Sequence, residues 1–222
     1  MSKAAIVILA AGSGSRVGAE VNKILLDLGS HPVIAHSVIT ALQVPDVAAV
    51  VLVARPGEEG AIAEAVTPVI GDREVLLIAG GEERQDSERA ALDVLRPRVT
   101  SGEVDVIAIH DGARPFASVE LYQAVISTAR THGGAIPGVP LSSVLTTDLK
   151  PVEGTLVGVQ TPQAFRATAL LAAYDRGGNT ATDTAAALAD DVVVRAVPGT
   201  SHNFKITWPE DVRAAERLIR GS

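Results

Sequence analysis

Short uninterrupted apolar runs alternate along the chain with stretches in which apolar residues recur every three or four positions. That alternation predicts a mostly parallel sheet with helices on both faces. Ala4–Leu9 is continuous and rich in β-branched residues, as a strand buried on both faces requires. After Pro32, the positions Ile34, Val38, Ala41 and Leu42 share one helical face. Val47–Val53 predicts a second strand, Glu58–Val66 a helix, and Glu74–Ile78 a third strand ending at Gly80-Gly81. Ser87–Leu95 predicts a helix, Val104–Ile109 a fourth strand ending at His110-Asp111, and Val119–Thr131 a helix closed by Gly133-Gly134.

From about Pro137 to Gln160 the pattern breaks. Pro, Ser, Thr and Gly interrupt short extended pieces such as Leu156–Val159, which predicts an arm or lid at about 138–160. Regularity returns with a helix over Arg166–Tyr174, a strand over Val192–Val197 and a final helix. Thr207 and Glu210 have capping-box spacing for that helix, with Pro209 in its first turn. There is no internal repeat and no low-complexity segment.

Composition narrows this picture. A chain of 222 residues fits one large α/β domain, 1–222, better than two independent ones. Hydrophobic residues make up 47 % and aromatics only 3 %, so the predicted core is aliphatic. A formal net charge of −7 argues against non-specific binding to nucleic acid or anionic membrane, while leaving room for a local basic pocket. No cysteine is present, which excludes disulfides, thiolate–zinc sites and cysteine nucleophiles and fits a cytoplasmic enzyme. Lys3 and the run Ala4–Ala11 faintly resemble a secretory leader, but the run is short and leads directly into Gly12-Ser13-Gly14-Ser15-Arg16. No apolar run is long enough to span a bilayer.

Ligands in such sheets bind beyond the carboxyl ends of the strands, and the polar clusters of the sequence fall there. The first is Ala10-Ala11-Gly12-Ser13-Gly14-Ser15-Arg16, followed by Lys23. Small residues after a buried strand let backbone N–H groups approach phosphate oxygens, and Arg16 and Lys23 add positive charge. The alternative is a tight strand-to-helix turn with solvated charges. Neither common phosphate motif fits: a dinucleotide fingerprint needs glycine at Val17, and a P-loop needs Gly-Lys at Val17-Gly18.

The second cluster is His110-Asp111-Gly112-Ala113-Arg114-Pro115. Asp111 is placed to hold Mg²⁺ against a triphosphate, because magnesium prefers oxygen ligands and keeps several waters. Arg114 pairs either with a phosphate or with Asp111, and His110 reads as a hydrogen-bonded histidine beneath the site. The third is Gly80-Gly81-Glu82-Glu83-Arg84-Gln85-Asp86-Ser87: its glycines allow close approach to a base or ribose, and Ser87 is either a ligand or an N-cap. Thr161-Pro162-Gln163, Thr182-Asp183 and Asn203-Phe204-Lys205 are weaker signals. The five histidines have no zinc-site spacing, and neither a Gly-x-Ser-x-Gly elbow nor a post-strand Asp-x-Asp is present.

In order, these clusters resemble the 2-C-methyl-D-erythritol 4-phosphate cytidylyltransferase family and its alditol-phosphate relatives, over nearly the whole chain. The resemblance implies a Rossmann-like nucleotidyltransferase fold, CTP and a sugar-alcohol phosphate as substrates, Mg²⁺, and a homodimer held by a protruding arm. It implies contacts from Ala10, Ala11, Gly12, Gly81 and Ser87 to the nucleotide, and stabilisation of the triphosphate by Arg16 and Lys23. It further implies that Asp111 holds the metal and faces the acceptor, and that Arg114, Ser143, Thr161, Thr182 and Lys205 line the acceptor pocket. The chain departs from the family pattern at Leu9 and Asn22, where proline is usual, and at Ser142-Ser143, where Asp-Thr is usual. Its arm is short, with Glu153 nearest the position of an arginine lent to the partner's site. Three readings follow: cytidylyl transfer to methylerythritol phosphate, the same chemistry on another alditol phosphate, and nucleotide binding without turnover.

Overall fold

The computed structural model describes residues 2–12, 22–176, 184 and 192–221. β1 (Lys3–Ala10) is followed by a 3-10 turn at Lys23–Leu25 and a two-residue hairpin, β2 (Asp27–Leu28) and β3 (His31–Pro32). Then come α1 (Val33–Gln43), β4 (Val47–Ala54), α2 (Glu59–Ile70), β5 (Leu76–Ala79), α3 (Arg84–Thr100), β6 (Val104–Asp111) and α4 (Val119–His132). The remainder is β7 (Gly133–Leu141), β8 (Leu156–Val159), β9 (Gln163–Arg166), α5 (Ala167–Arg176), β10 (Val193–Pro198) and α6 (Pro209–Gly221).

The main sheet runs β10-β7-β9-β6-β1-β4-β5, with β8 paired to the outer part of β7. β5, β4, β1 and β6 are mutually parallel, and β9 lies antiparallel between β6 and β7. The expected mostly parallel sheet with helices on both faces is therefore present. Its logic is visible in β1. Ala4, Ile6, Ile8 and Ala10 point to one face, among residues of α1, α2 and α4. Ala5 and Val7 point to the other, among residues of α3 and α5. A strand covered on both sides has no polar position, which is why its sequence is a continuous apolar run.

Two strands of the main sheet, β7 and β9, and the short β2–β3 hairpin lie outside the pattern-based expectation. β7 begins at Gly133-Gly134 and contains Pro137 and Pro140, a composition that reads as a break. Its neighbours β9 and β10 supply the pairing that composition does not. Gly134 is also required there, since a Cβ would lie 2.9 Å from the Phe165 ring. β9 is only four residues long, too short for periodicity to identify. Helices α2 and α3 run beyond their expected ends through Pro68 and Pro97. Each proline falls near the C-terminus, and buried Val99 holds the end of α3 in place.

Between β7 and β8, residues 142–155 carry a Leu145–Pro151 bridge and a turn in which Thr146 accepts from the Lys150 backbone; the expected range of 138–160 is shorter here because its two ends pair as strands. α6 is docked by a satellite cluster in which Ala215 meets Leu28, Val33 and Ile206, flanked by Phe116, Phe204 and Ile219. The capping box expected between Thr207 and Glu210 is displaced by one residue. Because the helix starts at Pro209, the Asp211 carboxylate instead accepts from the Thr207 and Trp208 amides at 2.7 and 2.8 Å.

Candidate active site

In the parallel half of the sheet the chain moves outward from β1 to β4 and β5, then returns to place β6 on the other side of β1. That reversal separates the loops leaving β1 and β6 and opens a crevice beyond the strand ends. A cavity of about 890 Å³ occupies it, lined by Ala10, Ala11, Gly12, Lys23, Gly81, Ser87, Asp111 and Lys205 together with Arg55, Arg84 and Thr207. Eight of the predicted site residues therefore share one cavity, although they span most of the chain.

The β1 end supplies small residues at the cavity wall. Among the described residues, a Cβ added at Gly12 would meet no atom within 4 Å. Arg16 lies outside the described residues. Lys23 opens the 3-10 turn, capped by Asn22, whose Oδ1 accepts from the Ile24 amide. The Asn22 side chain also donates to Glu58 Oε2 at 2.7 Å, tying the turn to the start of α2. The departure at Asn22 thus replaces a rigid proline with a side-chain tether.

The β5–α3 turn is built on Gly80 and Gly81. The Gly80 amide donates to Ala54 O, and a Cβ at Gly80 would stand 2.5 Å from Ser87 Oγ. A Cβ at Gly81 would overlap that of Asp86. Ser87 is not the N-cap: Glu83 and Asp86 form a reciprocal capping box at the start of α3. This leaves the Ser87 hydroxyl to accept from the Gly81 amide at 3.2 Å, at the cavity wall.

The β6 end carries the charge. Asp111 is buried and meets three cations: Arg84 at 2.5 Å, Lys205 at 2.9 Å and Arg114 at 3.6 Å. Burial alone would raise its pKa, but Arg84 and Lys205 outweigh that and hold the carboxyl well below the usual range. Arg84 is half-buried, yet Asp111 and Glu88 keep it charged, with its pKa above the ordinary value. Beneath the carboxylate, one hydrogen-bond chain sets the geometry. The Asp111 amide donates to Thr161 Oγ1, which faces His110 Nδ1 at 3.1 Å, and His110 Nε2 lies 3.0 Å from the Arg114 carbonyl. A carbonyl accepts only, so Nε2 carries the proton and Nδ1 accepts from Thr161. Burial lowers the histidine pKa to about 4, consistent with this neutral tautomer. His110 therefore lies beneath the site, as expected.

Some predicted residues fall elsewhere. Thr161 does not line the cavity; it is buried behind Asp111 with its hydroxyl committed to that chain. Arg114 is directed at Asp111 and the Asn203 carbonyl, so of its two alternatives the structure shows the ion pair. Ser143 is exposed on the arm with φ +56°, away from the cavity lining, and Thr182 lies outside the described residues. Conversely, Arg55, Thr207, Arg84 and buried Glu88 have no site role in the sequence analysis, although Arg84 stands in its third cluster. The last two carried a signal, because Arg84 and Glu88 stand four apart on one helix and pair at 2.8 Å. Among the described residues no group of three or more His, Asp or Glu side chains is positioned to hold a metal.

The family described as IspD, 2-C-methyl-D-erythritol 4-phosphate cytidylyltransferase, matches residues 4–221. A relative of that name from Cereibacter sphaeroides is 37 % identical over 97 % of this chain and 96 % of its own length. A bifunctional IspD/IspF enzyme from Clavibacter michiganensis is also 37 % identical, and there the chain spans only about half, 54 %, of the relative. Among solved structures, 4-diphosphocytidyl-2C-methyl-D-erythritol synthase from Anaerococcus prevotii superposes with a TM-score of 0.82 at 25 % identity, covering 99 % of this chain and 96 % of that one. The cavity at the switch point, its glycine turns and its cation-ringed carboxylate thus belong to a member of the 2-C-methyl-D-erythritol 4-phosphate cytidylyltransferase family of nucleotidyltransferases.

Proposed function

We propose that this chain joins CTP to 2-C-methyl-D-erythritol 4-phosphate and releases pyrophosphate, a step in making isoprenoid precursors. The observation that carries the reading is a single cavity with a small-residue loop on one side and Asp111, Arg84 and Lys205 on the other. An acceptor phosphate oxygen attacks the α-phosphorus of CTP, a new P–O bond forms, and the bond to the departing pyrophosphate breaks. The attacking phosphate is already ionised at neutral pH, so the reaction needs no general base. The task is to bring two polyanions together and neutralise developing charge.

Lys23 and Arg16 stabilise the triphosphate, Ala10, Ala11, Gly12, Gly81 and Ser87 hold the nucleoside and phosphates, and Lys205 meets the acceptor. Asp111 is a hard oxygen ligand at the cavity wall, which suits Mg²⁺ held jointly by one carboxylate and substrate phosphates. When bound, that ion would offset negative charge on the phosphate oxygens. The two cations closest to Asp111 keep its carboxylate ionised and oriented before any ligand arrives. Thr182 completes the acceptor side, and Thr161 and Arg114 support it from behind. The reading includes one domain over 1–222, a homodimer and a cytoplasmic location.

The test is pyrophosphate release with Mg²⁺, each of the four nucleoside triphosphates, and methylerythritol phosphate. Release with CTP alone is expected, and Lys23→Ala should lower it by about 100-fold or more. Full activity in Lys23→Ala would remove that residue's role. A second reading keeps the chemistry and changes the acceptor to another alditol phosphate, favoured by exposed, acidic Glu153 on the arm. An acceptor panel separates the two. CTP binding without turnover on any acceptor would mark a nucleotide-binding relative.

A further inference from the structure

Glu88 is 1 % exposed, yet it stands on α3 directly behind the cavity and takes no part in the chemistry above. An ionised carboxylate is costly to bury, and an apolar residue of similar size would often be as stable at such a site. Its partners explain its presence. Oε1 accepts from Arg84 Nε at 2.8 Å and from the Thr184 hydroxyl at 2.9 Å, while Oε2 accepts from the Tyr174 hydroxyl. The two oxygens thus divide the work. Oε2 faces α5, and Oε1 holds a cavity cation together with the residue two positions after Thr182.

Arg84 is shared between Glu88 and Asp111, with Nε on the first and Nη1 on the second. A guanidinium gripped at both edges cannot swing into the cavity, so its position relative to Asp111 is set from behind. Lys205 reaches the other oxygen of Asp111. A single buried carboxylate therefore sets the position of Arg84, and through it the pairing of Asp111 on this wall of the cavity.

We propose that Glu88 is a positioning residue for acceptor binding, fixing Arg84 against Asp111 and anchoring the chain at Thr184. This rests on the reading that the Asp111–Lys205 wall receives the acceptor phosphate. The experiment is steady-state kinetics of wild type, Glu88→Gln, Thr184→Val and Tyr174→Phe with both substrates varied, beside thermal unfolding. Glu88→Gln should raise the acceptor KM about tenfold or more while the CTP KM moves less than about threefold. Thr184→Val should raise the acceptor KM about threefold with CTP unaffected. Tyr174→Phe, which acts only on the far oxygen, should lower Tm and leave both KM values in place.

Equal changes in both KM values, or a Glu88→Gln acceptor KM within about twofold of wild type, would overturn the inference. If Glu88→Gln does not fold, Thr184→Val carries the test, since it changes a hydroxyl to a methyl. An inactive wild type would count against the functional reading alone. The same variants titrated calorimetrically with methylerythritol phosphate would then decide the role of Glu88: a selective loss of affinity supports it and unchanged affinity overturns it.

Discussion

Both ring nitrogens of His110 are committed, one donating to the Arg114 carbonyl and the other accepting from Thr161. A proton added to Nδ1 would break the bond to Thr161 and place a charge against buried apolar neighbours such as Tyr122. The folded-state pKa of about 4 lies below the ordinary 6.5, so between these values the unfolded chain binds more protons than the folded one. The stability from neutral His110 is therefore complete above about pH 6.5 and is lost as pH falls towards 4. Denaturant melts across this range should show stability falling by up to about 1 kcal/mol per pH unit from this group. His110→Gln, which cannot take up a proton there, should flatten that slope. Asp111 has its pKa depressed, so it contributes a further loss only at lower pH, as the pH drops below its ordinary 3.8.

At the scale of elements, Lys205 shows how a site residue depends on distant packing. It lies between Phe204 and Ile206, and Ile206 is buried with Leu28, Val33 and Ala215 of α6. The start of α6 is secured by Asp211, which takes the Thr207 and Trp208 amides. Thr207 itself lines the cavity, and Trp208, the single tryptophan, follows it. Asp211→Ala should cost about 1 kcal/mol in urea unfolding, the usual worth of a helix cap. Trp208 fluorescence should shift in the same variant, because the cap bonds its own amide. An unchanged midpoint and spectrum would mean that the packing of Ala215 alone secures the helix.

On the scale of the whole molecule, the sheet presents its cavity at one end and an apolar arm at its side. Leu145, Leu149 and Val152 are exposed on 142–155, Leu149 at 76 %, and Val157 and Val159 are exposed on one face of the β7–β8 pair with Leu141 on the other. Exposed apolar side chains gathered on a projecting segment suit a contact between two copies of the chain. Light scattering should therefore find a dimer, and Leu145→Asp with Leu149→Asp should shift it to monomer while leaving the far-ultraviolet dichroism unchanged. Much of the architecture was legible in the sequence. Buried parallel strands and amphipathic helices satisfy local rules of periodicity, and glycine turns announce themselves where a Cβ would collide, as at Gly80 and Gly81. β7 was not legible, because its glycines and prolines are overruled by neighbours that pair with it from elsewhere in the chain. The site divides in the same way. The sequence by itself determined which residue types stand at the strand ends, since a phosphate cavity needs small residues and cations there. Only the tertiary structure decided their partners: that Arg84 joins Glu88 to Asp111, that Arg114 is an ion pair, and that Thr161 stands behind the carboxylate. Those assignments depend on distances between residues far apart in the chain, which no local pattern records.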